Sequence, residues 1–507
     1  MRETLELNEI QKSQLFIEEI SGQATIIRFG MKFNADITSE KIFAGLKVSV
    51  KATSILNAEL DRNRFKLTFI ESENHNYNIV EKNLGNIDSR AIINLFIDES
   101  SIQIHDKGYS YYGEICTTCE GIILLFSVHH AIFDAKSVEL FINRTNRAIK
   151  GEQLKKDNVI EYQQANKSFN KLMMASDKNI SYWKSVRERF KGHSPVCFRG
   201  DWGYTQISDW ISVEPPVSVD IRSLWYISQV ALALGLTLNS YSFSFISPIA
   251  LRGNKVLRNA MGCYINSVPV SVDFDKKMSP IDLYTQFKED FLESVRHSAI
   301  PFNSIVKIID PDRSGDLCPI TDIVINYQNF KTEDLSEDEK FLNIVDQVPQ
   351  YSVVVDILDY YTNGIEISVR MKKATRLLPL TCFNMVIKYL FENSFCLVEE
   401  IEKHVLYKVI PDFQNLPFRI QTKNTPDEQV NSDCLVATII KEFLLKNLNI
   451  EIENDALNRN LFSIGLESLT AIDLYEKLQK IGYDLKLIDI FNNNTINSLS
   501  GFLSKKI

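Results

Sequence analysis

Residues 121–128 read GIILLFSV, an apolar run with no polar face, which stops at a pair of histidines. A continuous apolar stretch of that length suits a buried strand. Upstream, LNEIQKSQLFIEE (7–19) places Ile10, Leu15 and Phe16 at helical spacing, so the first 175 residues read as a mixed α/β lobe. The pattern repeats in kind further on. CYINSVPVSV (263–272), TDIVINYQ (321–328) and IEISVRM (365–371) are strand candidates separated by helical stretches such as LYTQFKEDFLESVRH (283–297), and 176–412 read as a second mixed lobe. The polar, helix-favouring stretch 155–190 suits the connection between the two.

Proline and polar residues then dominate 413–432, which read as a linker. Residues 433–507 look helical throughout. In LTAIDLYEKLQKIG the positions Ala471, Leu474, Leu478 and Ile481 form one apolar stripe, and Gly482 is placed as a C-terminal stop. A chain of 507 residues is too long for one hydrophobic core, which agrees with two lobes and a small bundle.

A net charge of −9 with no run of lysine and arginine argues against nucleic acid as a partner. No segment approaches the roughly 20 apolar residues of a membrane helix, and MRETLELNEIQ has no apolar leader. No membrane association and a cytoplasmic location are therefore expected. Cys116 and Cys119 form a lone CxxC in a strand-like context without a second pair at zinc spacing, so they read as structural thiols and no metal site is expected.

The apolar run leads into HHAIFDA, residues 129–135. Imidazole exchanges protons near neutral pH, and a loop leaving a buried strand is where a scaffold can aim one into a cleft. The residues alone leave three readings open. One is a buried, hydrogen-bonded histidine followed by an aspartate that caps the next helix. Another is a metal site of His129, His130 and Asp134, weakened because neighbours at a strand end point opposite ways. The third is a catalytic imidazole with Asp134 fixing the loop through an arginine.

HHAIFDA resembles the HHxxxDG motif of nonribosomal peptide synthetase condensation domains, which share the two-lobed fold of chloramphenicol acetyltransferase. Other segments resemble that family in its own order. LNEIQKSQLF is similar to its first helix. LRGNKVLRNAMGCYINSVPV is similar to its arginine-then-GxFxN segment through Arg252, Gly262, Tyr264, Asn266 and Pro269. HSAIPFNSIV matches through His297, Pro301 and Phe302, and PITDIVINYQN resembles a later strand.

The resemblance implies a V-shaped α/β condensation domain of two chloramphenicol acetyltransferase-like lobes. It implies that His130 faces a tunnel between them where an amine meets a carrier-bound thioester. Asp134 would pair with Arg252 and hold the loop, His129 would be structural, and Tyr264 and Asn266 would belong to the tunnel or lobe motif. Three positions depart from the pattern. Ala135 stands for the usual glycine, adding a methyl where backbone approaches substrate. The first-lobe arginine is missing from SILNAELD (54–61), and Ser298 stands for glutamine.

In LFSIGLESLTAIDL (461–474), Ser468 taken alone is a first-turn or capping serine. The segment resembles the GxDSL motif of peptidyl and acyl carrier proteins, with Glu467 for aspartate, and the resemblance implies a four-helix bundle with 4'-phosphopantetheine attached at Ser468. The expected whole is a condensation–carrier didomain that joins an amine to an acyl thioester as an amide. Epimerisation domains follow their carrier, whereas here the carrier comes second. With no phosphate loop in the sequence, an adenylation enzyme would load the carrier in trans. A phosphopantetheinyl transferase would install the arm, and a donor carrier or upstream synthetase would bring the acyl group, since the first lobe begins almost at Met1. The alternatives are a catalytically degenerate platform, which Ala135 and the missing arginine encourage, and an ester-forming acyltransferase.

Overall fold

The computed structural model describes residues 2–21, 25–33, 37–62, 65–70, 77–174, 176–190, 204–212, 214–238, 240–310, 320–329, 340–344, 351–360, 364–372, 380–406, 435–448, 457–459, 461, 466, 468–485, 489–490 and 493–504. The linker expected over 413–432 lies outside them.

The first lobe runs β1 (Arg2–Glu6), α1 (Glu9–Ser21), β2 (Ile26–Phe33), α2 (Ser39–Ala52), β3 (Ala58–Asp61), β4 (Lys66–Ile70), β5 (Ile79–Gly85), α3 (Ser89–Ser101), β6 (Tyr111–Thr118), β7 (Gly121–His129) and α4 (Ala135–Ile149). Helices α5 (Val159–Leu172) and α6 (Asp177–Val186) follow. The chain continues with β8 (Tyr204–Ile211), α7 (Arg222–Thr237), β9 (Ser242–Ala250), α8 (Lys255–Arg258), β10 (Ile265–Asp273), α9 (Pro280–Arg296), α10 (Phe302–Ile309), β11 (Ile323–Asn329), β12 (Lys340–Ile344), β13 (Val353–Asp359), β14 (Ile365–Lys372), α11 (Leu380–Glu392) and α12 (Val398–Ile401), all but β12 belonging to the second lobe.

The GIILLFSV run becomes β7, buried along its whole length at the centre of a five-stranded sheet ordered β12-β2-β7-β6-β5. One face packs against α2 and α4 through Leu46, Phe126 and Phe141, the other against α3 through Phe96 and Leu125. Both faces of the strand are thus covered, which is why its sequence has no polar side. The second lobe has a six-stranded sheet, β10-β9-β11-β13-β14-β8. Its α7 is buried on every side because it lies against the sheet and against α9 and α11.

One strand departs from the sequence reading. β12 falls within the stretch assigned to the second lobe, yet it pairs antiparallel with β2 of the first, Leu342 opposite Gly30. Phe341 and Ile344 join the first lobe's core clusters.

The C-terminal helices are α13 (Leu435–Leu448), α14 (Ser468–Ile481) and α15 (Ile496–Ser504). Ile440, Leu444, Ala471, Leu474, Leu478, Leu499 and Leu503 make their common core. Ile481 is a correction to the expected stripe. It is 49% exposed, because α14 ends there and its last turn runs past the core. Gly482 has φ +108°, and the backbone N–H groups of Gly482 and Tyr483 close the helix onto the carbonyls of Gln479 and Leu478. Only glycine adopts that left-handed stop without cost.

Candidate active site

β7 stays paired with β2 up to His129, which lies opposite Ile26. His130–Ile132 then form a single 3₁₀ turn, and Asp134 caps α4 by accepting the Ser137 N–H at 2.9 Å. The two histidines diverge. His129 is fully buried, its Nδ1 accepts the Ala131 N–H at 3.1 Å, and its Nε2 lies 2.7 Å from Glu18 Oε2. A nitrogen that accepts a backbone N–H carries no proton, so the ring's proton sits on Nε2 and is donated to the carboxylate. Burial holds the pKa of His129 below its ordinary value, although the Glu18 hydrogen bond and charge pull the other way. Burial works to raise that of Glu18, but the hydrogen bond and charge of His129 and the charge of Arg62 bring it below the usual carboxylate value.

His130 has a different partner and is half-buried. Its Nδ1 lies 2.8 Å from the Phe133 carbonyl oxygen. A carbonyl only accepts, so Nδ1 keeps the proton and Nε2 of the neutral ring holds a free lone pair.

Asp134 is tied to the second lobe. Its carboxylate receives Arg252 and the backbone N–H of Tyr264 at 3.0 Å. Arg252 also donates to the carbonyls of Leu257 and Ala260. Ser137, which sequence reasoning missed, bonds both the N–H and the carbonyl of Gly262. A Cβ at Gly262 would fall 2.5 Å from the Tyr264 ring, so this close approach needs glycine. The start of α4 is therefore stitched to residues 252–264 of the second lobe. Because His129, His130 and Asp134 reach three different partners, the structure does not bring them together around a metal.

Tyr264 is fully buried between Phe169 and Arg252. Asn266 donates from Nδ2 to the carbonyls of Ser298 and Ile300, fixing β10 to the turn between α9 and α10. His297 meets Asn179 and stacks on Tyr182. A cleft of about 410 Å³ is lined by Ile55, Lys155, Glu161, Tyr162, Lys255 and Met261 among others, and His130 is not in its wall. Tyr162 links that wall to the loop, because Gln11 Nε2 donates to both the Tyr162 oxygen and the Ala131 carbonyl.

Ala135 is the first residue of α4, and its φ is not in the left-handed region. Its methyl group therefore costs no backbone strain. Just past residues 54–61, Arg62 places its Nη1 2.6 Å from Glu18 Oε1. Cys116 is buried in β6, where burial and then the charge of Glu114 push its thiol up to about 12, while Cys119 is exposed in the following turn. Among the described residues no group of His, Cys, Asp and Glu is arranged to hold a metal ion, and no helix is long and apolar enough to cross a membrane.

Family models match at two places: the condensation domain at residues 227–375 and the phosphopantetheine attachment site at 438–503. The chain carries a condensation domain followed by a carrier domain. The condensation-domain match covers much of the second lobe, and the histidine pair lies outside it. The fold agrees with solved condensation domains. The starter condensation domain of rhizomide synthetase RzmA, solved with C8-CoA, superposes with a TM-score of 0.65 at 12% identity, covering 78% of this chain and 96% of that one. The four-domain nonribosomal peptide synthetase AB3403 gives 0.59 at 14% identity, covering 79% of this chain and 34% of its own. Among curated relatives, surfactin synthase subunit 1 of Bacillus subtilis is 23% identical over 225 residues, which is 41% of this chain and 6% of that protein. The ferrichrome siderophore peptide synthetase of Schizosaccharomyces pombe is 20% identical over 390 residues, 74% of this chain and 8% of its own. The chain thus spans a small part of these relatives' length.

The carrier domain implies a phosphopantetheine group, which supplies a thiol on a long arm able to hold cargo as a thioester. The position of Ser468 fits that group. It is the first residue of α14, where unpaired backbone N–H groups and the positive end of the helix favour a phosphodiester.

Proposed function

We propose that this condensation domain forms an amide bond between an acyl thioester brought by a donor carrier and an amine presented on its own carrier. The amine nitrogen attacks the thioester carbonyl, the C–S bond breaks, and the thiol departs. The proton lost by nitrogen passes to His130 Nε2 and from there to the leaving sulfur, so the imidazole returns neutral. Holding both reactants in one passage supplies about 7–11 kcal/mol of the barrier, and the imidazole adds about 10²–10⁴ in rate. Ser468 is the attachment point of the arm, with an adenylation enzyme in trans and a phosphopantetheinyl transferase as partners.

The observation that carries this reading is the 2.8 Å contact between His130 Nδ1 and the Phe133 carbonyl oxygen, which commits Nδ1 as donor and leaves Nε2 as the nitrogen that can accept. The test offers a loaded donor carrier and an amine loaded on Ser468 to wild type and to His130→Ala. Product formation should fall by about 10²–10⁴ in the variant. Equal rates from both would remove His130 from the chemistry and leave the platform reading in its place.

A further inference from the structure

We infer that α1 is the positioning element of the catalytic loop, with Glu18 fixing through His129 the turn that aims His130. This rests on the role proposed for His130. Gln11 and Glu18 are seven residues apart, two helical turns, so they share the face of α1 that meets the loop. Gln11 holds the Ala131 carbonyl at 2.8 Å, while Glu18 holds the Nε2–H of His129 at 2.7 Å.

His129 is itself the cap of the 3₁₀ turn, because its Nδ1 accepts the Ala131 N–H. That bond forms only while Nδ1 is unprotonated. An ionised carboxylate facing Nε2 enforces that tautomer, as in other sites where the partner of one ring nitrogen sets the state of the other. The charged and titratable groups around this ring come from four elements. Glu18 lies on α1, Arg62 follows β3, His105 follows α3 with its Nδ1 3.3 Å from Glu18 Oε1, and His130 is the next residue. Against burial, the hydrogen bond and charge of His129 and then the charge of Arg62 hold the Glu18 carboxyl below its ordinary value. If the opposite tautomer or the imidazolium formed, an N–H at Nδ1 would face the Ala131 N–H and the turn would open, carrying His130 off its line to Phe133. Glu18 touches no reacting atom in this scheme, so it is a positioning residue.

The experiment combines kinetics with ring-nitrogen NMR on the full chain. In ¹⁵N-histidine-labelled wild type near neutral pH, His129 should show a protonated Nε2 and a bare Nδ1. In Glu18→Leu, which offers Nε2–H no acceptor, that signature should be lost, and kcat for condensation should fall about 10–100-fold, with KM for donor carrier and amine unchanged and Glu18→Gln, whose amide oxygen can still accept, recovering part of the loss. A wild-type His129 protonated at Nδ1 overturns the proposal even if the variant does not fold. So does a folded Glu18→Leu chain with wild-type kcat. An active His130→Ala would instead sink the role of His130, leaving the His129 tautomer as a separate result.

Discussion

Arg252 grips Asp134 across 118 positions of chain, with its Nη2 2.8 Å from each carboxylate oxygen and its Nε 3.2 Å from one of them. Both side chains are nearly sealed from solvent. Removing either partner strands a buried charge, so Asp134→Ala or Arg252→Ala should each cost about 3–5 kcal/mol. Urea unfolding reads this directly, and the double variant should cost much less than the sum of the two. Additive losses would show that the pair does not act as a unit.

Ala135→Gly separates substrate access from helix stability. The methyl group sits in the first turn of α4 on ordinary backbone, so glycine should lower stability by up to about 1 kcal/mol and leave the condensation rate as it was. A clear rate increase would mean that the methyl narrows the passage after all.

Carrier loading is read by intact mass. Incubation with coenzyme A and a phosphopantetheinyl transferase should add one arm to wild type and none to Ser468→Ala. An arm on the variant would place the attachment elsewhere.

Acid should weaken the fold in two stages of the same sign. The folded pKa of His129 lies below its ordinary 6.5, so beneath that pH the unfolded chain binds a proton that the folded ring refuses, and stability falls. Glu18 is depressed below 4.5, so its contribution is present above that pH and lost as pH drops through the folded value. Urea midpoints measured from about pH 7 to about pH 3 should decline, and Glu18→Gln should flatten the lower stage. A midpoint constant over that range would contradict both assignments.

The residues that the sequence exposes most readily are those whose own neighbours decide their structure. β7 is legible because eight successive residues carry no polar side, and α9 because LYTQFKEDFLESVRH (283–297) has the pattern of a helix, which the structure starts at Pro280 behind a capping box of Ser279 and Asp282. Gly482 is legible because only one backbone conformation ends α14 so sharply. Glu18 and Ser137 are not legible in this way. Each is an ordinary polar residue on a helix, and its partner comes from a distant element, His129 for one and Gly262 for the other. A hint existed in the spacing of Gln11 and Glu18, but helical spacing names a face without naming what it touches. The Asp134–Arg252 pair was reached through the resemblance of HHAIFDA and of the segment from Arg252 to Pro269, because composition and periodicity say nothing about contacts 118 residues apart.

The strand Lys340–Ile344 sets a limit on how the protein can be dissected. Residues 1–175 produced alone would lack it, leaving Arg28–Lys32 of β2 without their antiparallel partner and uncovering apolar surface that Phe341 and Ile344 normally hide. Such a fragment invites strand addition between copies and aggregation. A soluble N-terminal half therefore requires the crossover segment to be supplied, fused at the β2 edge or added as a peptide.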